Sequence, residues 1–185
     1  MATPARRNST VVHMLVAMAV LFVPVIVVTQ MFTRNPEPPV TAIDWRPVAE
    51  HAATEASYPV LGPANLPADW VATRARFTEA GRPIAAGDPA PGDTFQLGFL
   101  TGQQRYIALD QRDVGQESFV IATTRTGRAD GTSVLAGQTW ERMVSEDGRT
   151  RSLVLQSEPS VSIVSGDLPY EALEAFATTL EPITG

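Results

Sequence analysis

The run Val11 to Val28, VVHMLVAMAVLFVPVIVV, constrains this chain more than any other feature. Apolar character resumes at Met31–Phe32, and no Asp, Glu, Lys or Arg occurs between Asn8 and Thr33. A bilayer core needs roughly 20 such residues in a helix, so residues 11–32 are expected to form a transmembrane signal anchor with the lipid bilayer as partner. A removable signal peptide would have an apolar core of about 7–15 residues and then a small-x-small cleavage site. The chain instead reads TQMFTRNPEPP after Val28, with bulky Met31 and Phe32. Arg6 and Arg7 precede the run with no acid in residues 1–10. By charge bias this short N-terminus is cytoplasmic, the chain crosses the cell membrane once, and its bulk is extracytoplasmic. His13 reads as a tolerated polar residue near one helix end, and membrane helices tolerate a proline such as Pro24. Asn8-Ser9-Thr10 matches a glycosylation acceptor, but on this orientation it faces the cytoplasm.

Several kinds of chemistry are excluded by composition. There is no cysteine among the 185 residues, hence no disulfide, thiol nucleophile, iron–sulfur cluster or cysteine zinc site. There is no lysine, and His13 and His51 are the only histidines. From residue 34 onward 12 arginines face all 20 acids, leaving a charge of −8 outside the membrane. Nucleic-acid binding, which needs clustered cations, is therefore not expected.

The rest divides into a Pro-rich linker and stalk helix over 33–57, an α+β domain over 58–182 and a tail of 183–185. Asn35-Pro36-Glu37-Pro38-Pro39 is stiff and extended. Asp44 caps a helix reaching about Ser57, with Pro47 in its first turn. Strands are expected at Val71–Phe77, Thr94–Leu100, Arg105–Gln111, Thr132–Ala136, Gln138–Ser145, Arg151–Gln156 and Val161–Val164. Glu79–Asp93 is rich in Gly and Pro and reads as a loop. Asp113–Arg125 is ambiguous between helix and strand, and a helix is preferred. Asp147-Gly148 suits a type I′ hairpin. Asp167 or Pro169 opens a last helix whose Leu173, Phe176, Ala177 and Leu180 share one face. Mostly consecutive antiparallel strands predict a sheet covered by helix on one face and solvated on the other. The expected core comprises Trp70, Phe77, Phe95, Leu97, Phe99, Trp140, Val154, Ile163, Phe176 and Leu180. Glu171 and Glu174, on the far side of the last helix, are expected to tolerate alanine.

These residues carry no recognisable catalytic or cofactor motif. His51 has no His or Cys partner nearby in sequence, and there is no Gly-x-Ser-x-Gly elbow, P-loop or EF-hand loop. Asp110, Asp113 and Glu117 could serve carboxylate chemistry, and Glu146 and Asp147 are adjacent, but surface charge explains all five. No catalytic, cofactor or metal site is assigned. The candidate binding surface is Trp140 with Arg142, Arg149 and Arg151, which cluster across a predicted hairpin and could hold an anionic polymer or a partner carboxylate. Cross-strand pairing with Glu141, Glu146 and Asp147 is the plainer account of the same arginines.

Short landmarks follow one another along the chain: Tyr58-Pro59-Val60, Leu66-Pro67-Ala68-Asp69-Trp70, Leu97-Gly98-Phe99-Leu100, Gly137-Gln138-Thr139-Trp140-Glu141, Asp147-Gly148-Arg149-Thr150, and Val164-Ser165-Gly166 with a short turn to Leu173–Leu180. Their order is similar to an actinobacterial family known only as domain of unknown function 4245. The resemblance implies architecture and location and supplies no activity. The function expected is a non-catalytic, membrane-tethered extracytoplasmic domain that binds or scaffolds an envelope protein or polymer. A carrier of an apolar ligand, with a cavity lined by Phe95, Phe99, Trp140 and Phe176, is one alternative; a carboxylate-dependent envelope hydrolase is another.

Overall fold

The computed structural model describes residues 9–33, 41–84 and 87–184. The expected cytoplasmic segment lies outside the described residues apart from Ser9 and Thr10, and so does the proline linker from Asn35 to Pro39. Helix α1, Ser9–Thr33, is a unit by itself, with Pro24 inside it. The side chains described without a break on it run from His13 to Val27, and all are exposed. Among the described residues no helix is long and apolar enough to cross a membrane.

The second unit begins at Thr41, well before the expected residue 58. The reason is that helix α2, Arg46–Glu55, is part of the core and no detached stalk. Trp45, Ala49 and Ala52 are buried, and the Trp45 ring meets Phe99 edge-on at 6.1 Å. The N-cap is Trp45 and not the expected Asp44, whose Oδ1 accepts from the Arg46 amide at 3.2 Å from one residue earlier. Strands β1 (Leu61–Pro63), β2 (Val71–Thr78), β3 (Thr94–Leu100) and β4 (Tyr106–Arg112) follow. Then come α3 (Gln116–Thr123), β5 (Arg128–Leu135), β6 (Gln138–Val144), β7 (Arg151–Ser157), β8 (Ser160–Gly166), α4 (Tyr170–Ala177) and β9 (Leu180–Pro182).

Seven strands form one antiparallel sheet in the order β2-β3-β4-β8-β7-β6-β5, and β1 pairs with β9 separately. The hairpins follow local chemistry. Gln104 has φ 58° in the five-residue link between β3 and β4, and Ala136 and Gly137 both have positive φ between β5 and β6. The Asp147-Gly148 turn is not type I′. Gly148 has φ 70° and Asp147 does not join it, because the loop holds four residues, closed by Ser145 N donating to Thr150 O at 2.9 Å.

Both faces of the sheet are packed, which corrects the one-sided expectation. On one face α2 and α4 cover Phe95, Leu97, Phe99, Ile107, Leu109, Leu153 and Val164. Val154, Ile163 and Val161 point the other way and pack beneath Phe119 of α3. Burial from both sides gives the central strands their near-continuous apolar runs. Leu180 is not on the last helix: α4 ends at Ala177, and Leu180 is only partly buried in β9. Ile183, expected in the tail, is tied to the fold, its N donating to Val60 O at 2.8 Å. Gln111, fully buried on β4, ties this strap to the sheet. Its Oε1 accepts from Leu61 N at 2.8 Å, and its Nε2 donates to Ser162 Oγ at 2.9 Å.

Candidate functional site

The four residues of the expected binding surface are placed in three different settings. Trp140 is buried beneath α4. Arg142 pairs with Glu174 of α4, with Ser133 Oγ 2.6 Å from its Nε, and lies 4.9 Å from the Tyr170 ring centroid. Arg151 approaches the same ring at 5.8 Å. The Tyr170 hydroxyl donates to Asp130 at 2.9 Å, and burial first, then this bond, pushes its pKa up to about 12. Arg149 is elsewhere, on the loop between β6 and β7, lining a cleft on the α3 face.

That cleft, of about 620 Å³, lies between α3 and the polar end of the sheet. Its floor comes from strand register. Arg74, Gly98, Ala108, Ser165 and Ser152 stand in one cross-strand row, so small side chains occupy its centre. The Tyr106 ring folds across Gly98: a Cβ there would lie 2.7 Å from Tyr106 Cζ, so only glycine leaves room for it. The next row holds Gln96, Asp110 and Ile163, and α3 closes the far side with Phe119, Ala122 and Thr123.

Four guanidinium groups line this cleft: Arg74, Arg112, Arg125 and Arg149. Arg74 reaches Gln96 Oε1. Arg112 donates to Thr94 Oγ1 at 2.9 Å and lies 4.3 Å from the Phe119 ring centroid. Among the described residues none of the four is within ion-pair distance of a carboxylate, although from residue 34 onward acids outnumber arginines 20 to 12. Asp110 is 5% exposed and accepts from Gln96 Nε2 at 2.7 Å through Oδ1. Burial pushes its carboxyl above the usual range, opposed by the Gln96 bond and by Arg74 and Arg112. Asp147 lines the cleft with Asp167. It accepts from Ser145 Oγ at 2.6 Å and from Arg149 N at 3.1 Å, bonds that hold its carboxyl below the usual range.

The other candidates are dispersed. Asp113 accepts from Ser57 Oγ at 2.6 Å, Glu117 and Glu146 are exposed, and His51 meets the Phe77 ring edge-on at 5.8 Å. Among the described residues no group of three His, Asp or Glu could hold a metal ion. The aromatic core encloses no large cavity among those described. Phe99 contacts Phe176 at 5.8 Å, and a smaller hollow of about 290 Å³ takes in Trp140 but none of the three core phenylalanines. Sequence reading missed Arg74, Tyr106, Arg112 and Arg125 as a group, because they come from β2, β4 and the end of α3. The available signal was an alternation in β4, with Tyr106, Asp110 and Arg112 on one face.

Two solved structures are similar in part. One is a Pseudomonas aeruginosa MucA/MucB complex, with 16% identity, a TM-score of 0.39, and coverage of 68% of this chain and 35% of that one. The other is a crystal structure of MucB in complex with MucA(peri), with 15% identity, a TM-score of 0.39, and coverage of 70% and 38%. The chain thus spans little more than a third of the chains it matches. No curated protein sequence matches it. The family described as protein of unknown function (DUF4245) matches residues 6–180, from the first arginine pair to β9, and the chain belongs to that family.

Proposed function

We propose that this protein is a membrane-tethered extracytoplasmic domain that binds a cell-envelope component without transforming it. The apolar run over 11–32 and the Arg6/Arg7 charge bias support the tether and its orientation. The observation that carries binding is the cleft with four arginines that lack carboxylate partners among the described residues. Guanidinium groups facing a partly desolvated hollow favour an anionic ligand through planar, charge-assisted hydrogen bonds. The test is in-cell crosslinking from a photoreactive residue at position 149, compared with one at position 51 on α2. Crosslinks to an envelope component from 149 alone support the reading; equal yields from both positions oppose it. Protease added to spheroplasts tests the orientation, with digestion of the outer domain expected.

One observation favours the hydrolase reading: Asp110, Asp147 and Asp167 line the same cleft. Burial pushes the Asp110 carboxyl up while hydrogen bonds hold that of Asp147 down, and glycoside hydrolysis uses two carboxyls whose environments push them apart. Release of reducing ends from envelope glycans by the purified chain would establish it.

A further inference from the structure

We infer that the ligand of the α3-face cleft is an acidic saccharide, a hydroxylated ring bearing a carboxylate or phosphate; this rests on the binding reading above. Three features beyond the arginines select that class. The first is Tyr106, whose ring lies over the glycine in the floor and is 40% exposed. An exposed aromatic face with a polar tip suits the apolar face of a sugar ring. The second is Asp110. Its Oδ1 is occupied by Gln96, and among the described residues no hydrogen bond reaches its Oδ2. That oxygen is not among the fully buried unpaired atoms, so on the cleft wall it is an open acceptor that a ligand hydroxyl can use in place of water. The third is the pair of small side chains on the floor, Ala108 and Ser165, which leaves depth for a ring between Tyr106 and α3.

The alternatives fit less well. A bare inorganic anion would use the arginines but neither Tyr106 nor Asp110. A neutral sugar would offer the four guanidinium groups no charge-assisted hydrogen bond, although among the described residues none has a carboxylate within ion-pair distance. An apolar ligand would have to desolvate the charged walls at high cost.

The test uses the full chain in detergent micelles and titration calorimetry with four probes: a galacturonic acid trimer, glucose 6-phosphate, inorganic phosphate and maltotriose. At least one acidic saccharide is expected to bind ten-fold or more tighter than both maltotriose and inorganic phosphate. Whichever of the two leads identifies carboxylate or phosphate as the anionic group. Tyr106→Ala should weaken the acidic saccharide five-fold or more and leave inorganic phosphate unchanged, whereas Arg149→Gln should weaken both. Gly98→Ala, which displaces the Tyr106 ring, should act like Tyr106→Ala. Inorganic phosphate binding as tightly as either acidic sugar would overturn the inference and leave a plain anion site. Unchanged sugar binding by a folded Tyr106→Ala would also overturn it. If no probe binds, the inference falls, while the binding reading is decided separately by the crosslinks from position 149.

Discussion

Phe176 of α4 stacks on Trp70, with ring centroids 5.7 Å apart and planes 21° apart. Trp70 lies just before β2 and Phe176 near the end of the domain, so this contact fastens α4 over the sheet. Phe176→Ala should cost about 3–5 kcal/mol, counting lost transfer energy and the cavity left behind. The measurement is the urea midpoint of the full chain in micelles. An unchanged midpoint would mean that α4 does not seal the core.

Glu174, expected to tolerate alanine, makes side-chain contacts to β5 and β6. It accepts from Ser133 Oγ and from Arg142 Nε, the latter at 3.1 Å. The Ser133 bond first, then Arg142, holds its carboxyl below the usual range. With both side chains partly exposed, solvent screening limits the loss on Glu174→Ala to about 1 kcal/mol. A lowered folded pKa makes this contribution present above the unfolded carboxylate pKa and lost as pH falls through the folded value. The stability gap between Glu174→Ala and wild type should therefore close on acidification. A gap independent of pH would assign the effect to packing.

Asp110 has the opposite sign. Burial raises its folded pKa, so its favourable share of stability is complete below the unfolded pKa and disappears as pH rises through the folded one. Asp110→Asn should melt higher than wild type near neutral pH, with the difference vanishing at acid pH. Equal melting temperatures across the range would show that Gln96 and the arginines fully offset desolvation.

Ser152 Oγ is buried without a hydrogen-bond partner among the described residues. An unsatisfied buried hydroxyl costs about 1–3 kcal/mol, so Ser152→Ala should be neutral or stabilise by about 1 kcal/mol. A clear loss in the denaturation midpoint would reveal a bound water or ligand group at that hydroxyl.

Much of the sheet was legible because alternation and turn residues act locally: the central strands begin and end near their expected positions. The second packed face was not. Val154 and Ile163 were recognisable as core residues, but an apolar run buried on both sides does not say which neighbour covers which face. The pairing of β1 with β9 escaped because three-residue strands have no period to read. The cleft escaped for a related reason. Arg74 and Arg149 are brought to one hollow by strand order alone, while Trp140, Arg142 and Arg151, close in sequence to Arg149, turn to the opposite face.

The pairing of Leu61 with Pro182 joins residues about 120 positions apart, a separation that makes such contacts late ones in folding. A chain made from its N-terminal end has β2 to β8 synthesised before residues 180–183 arrive. The strap held by Gln111 can close only then. Release of a finished domain is thus timed by synthesis of its final strand, and a ribosome stalled before Leu180 would leave β1 waiting for its partner.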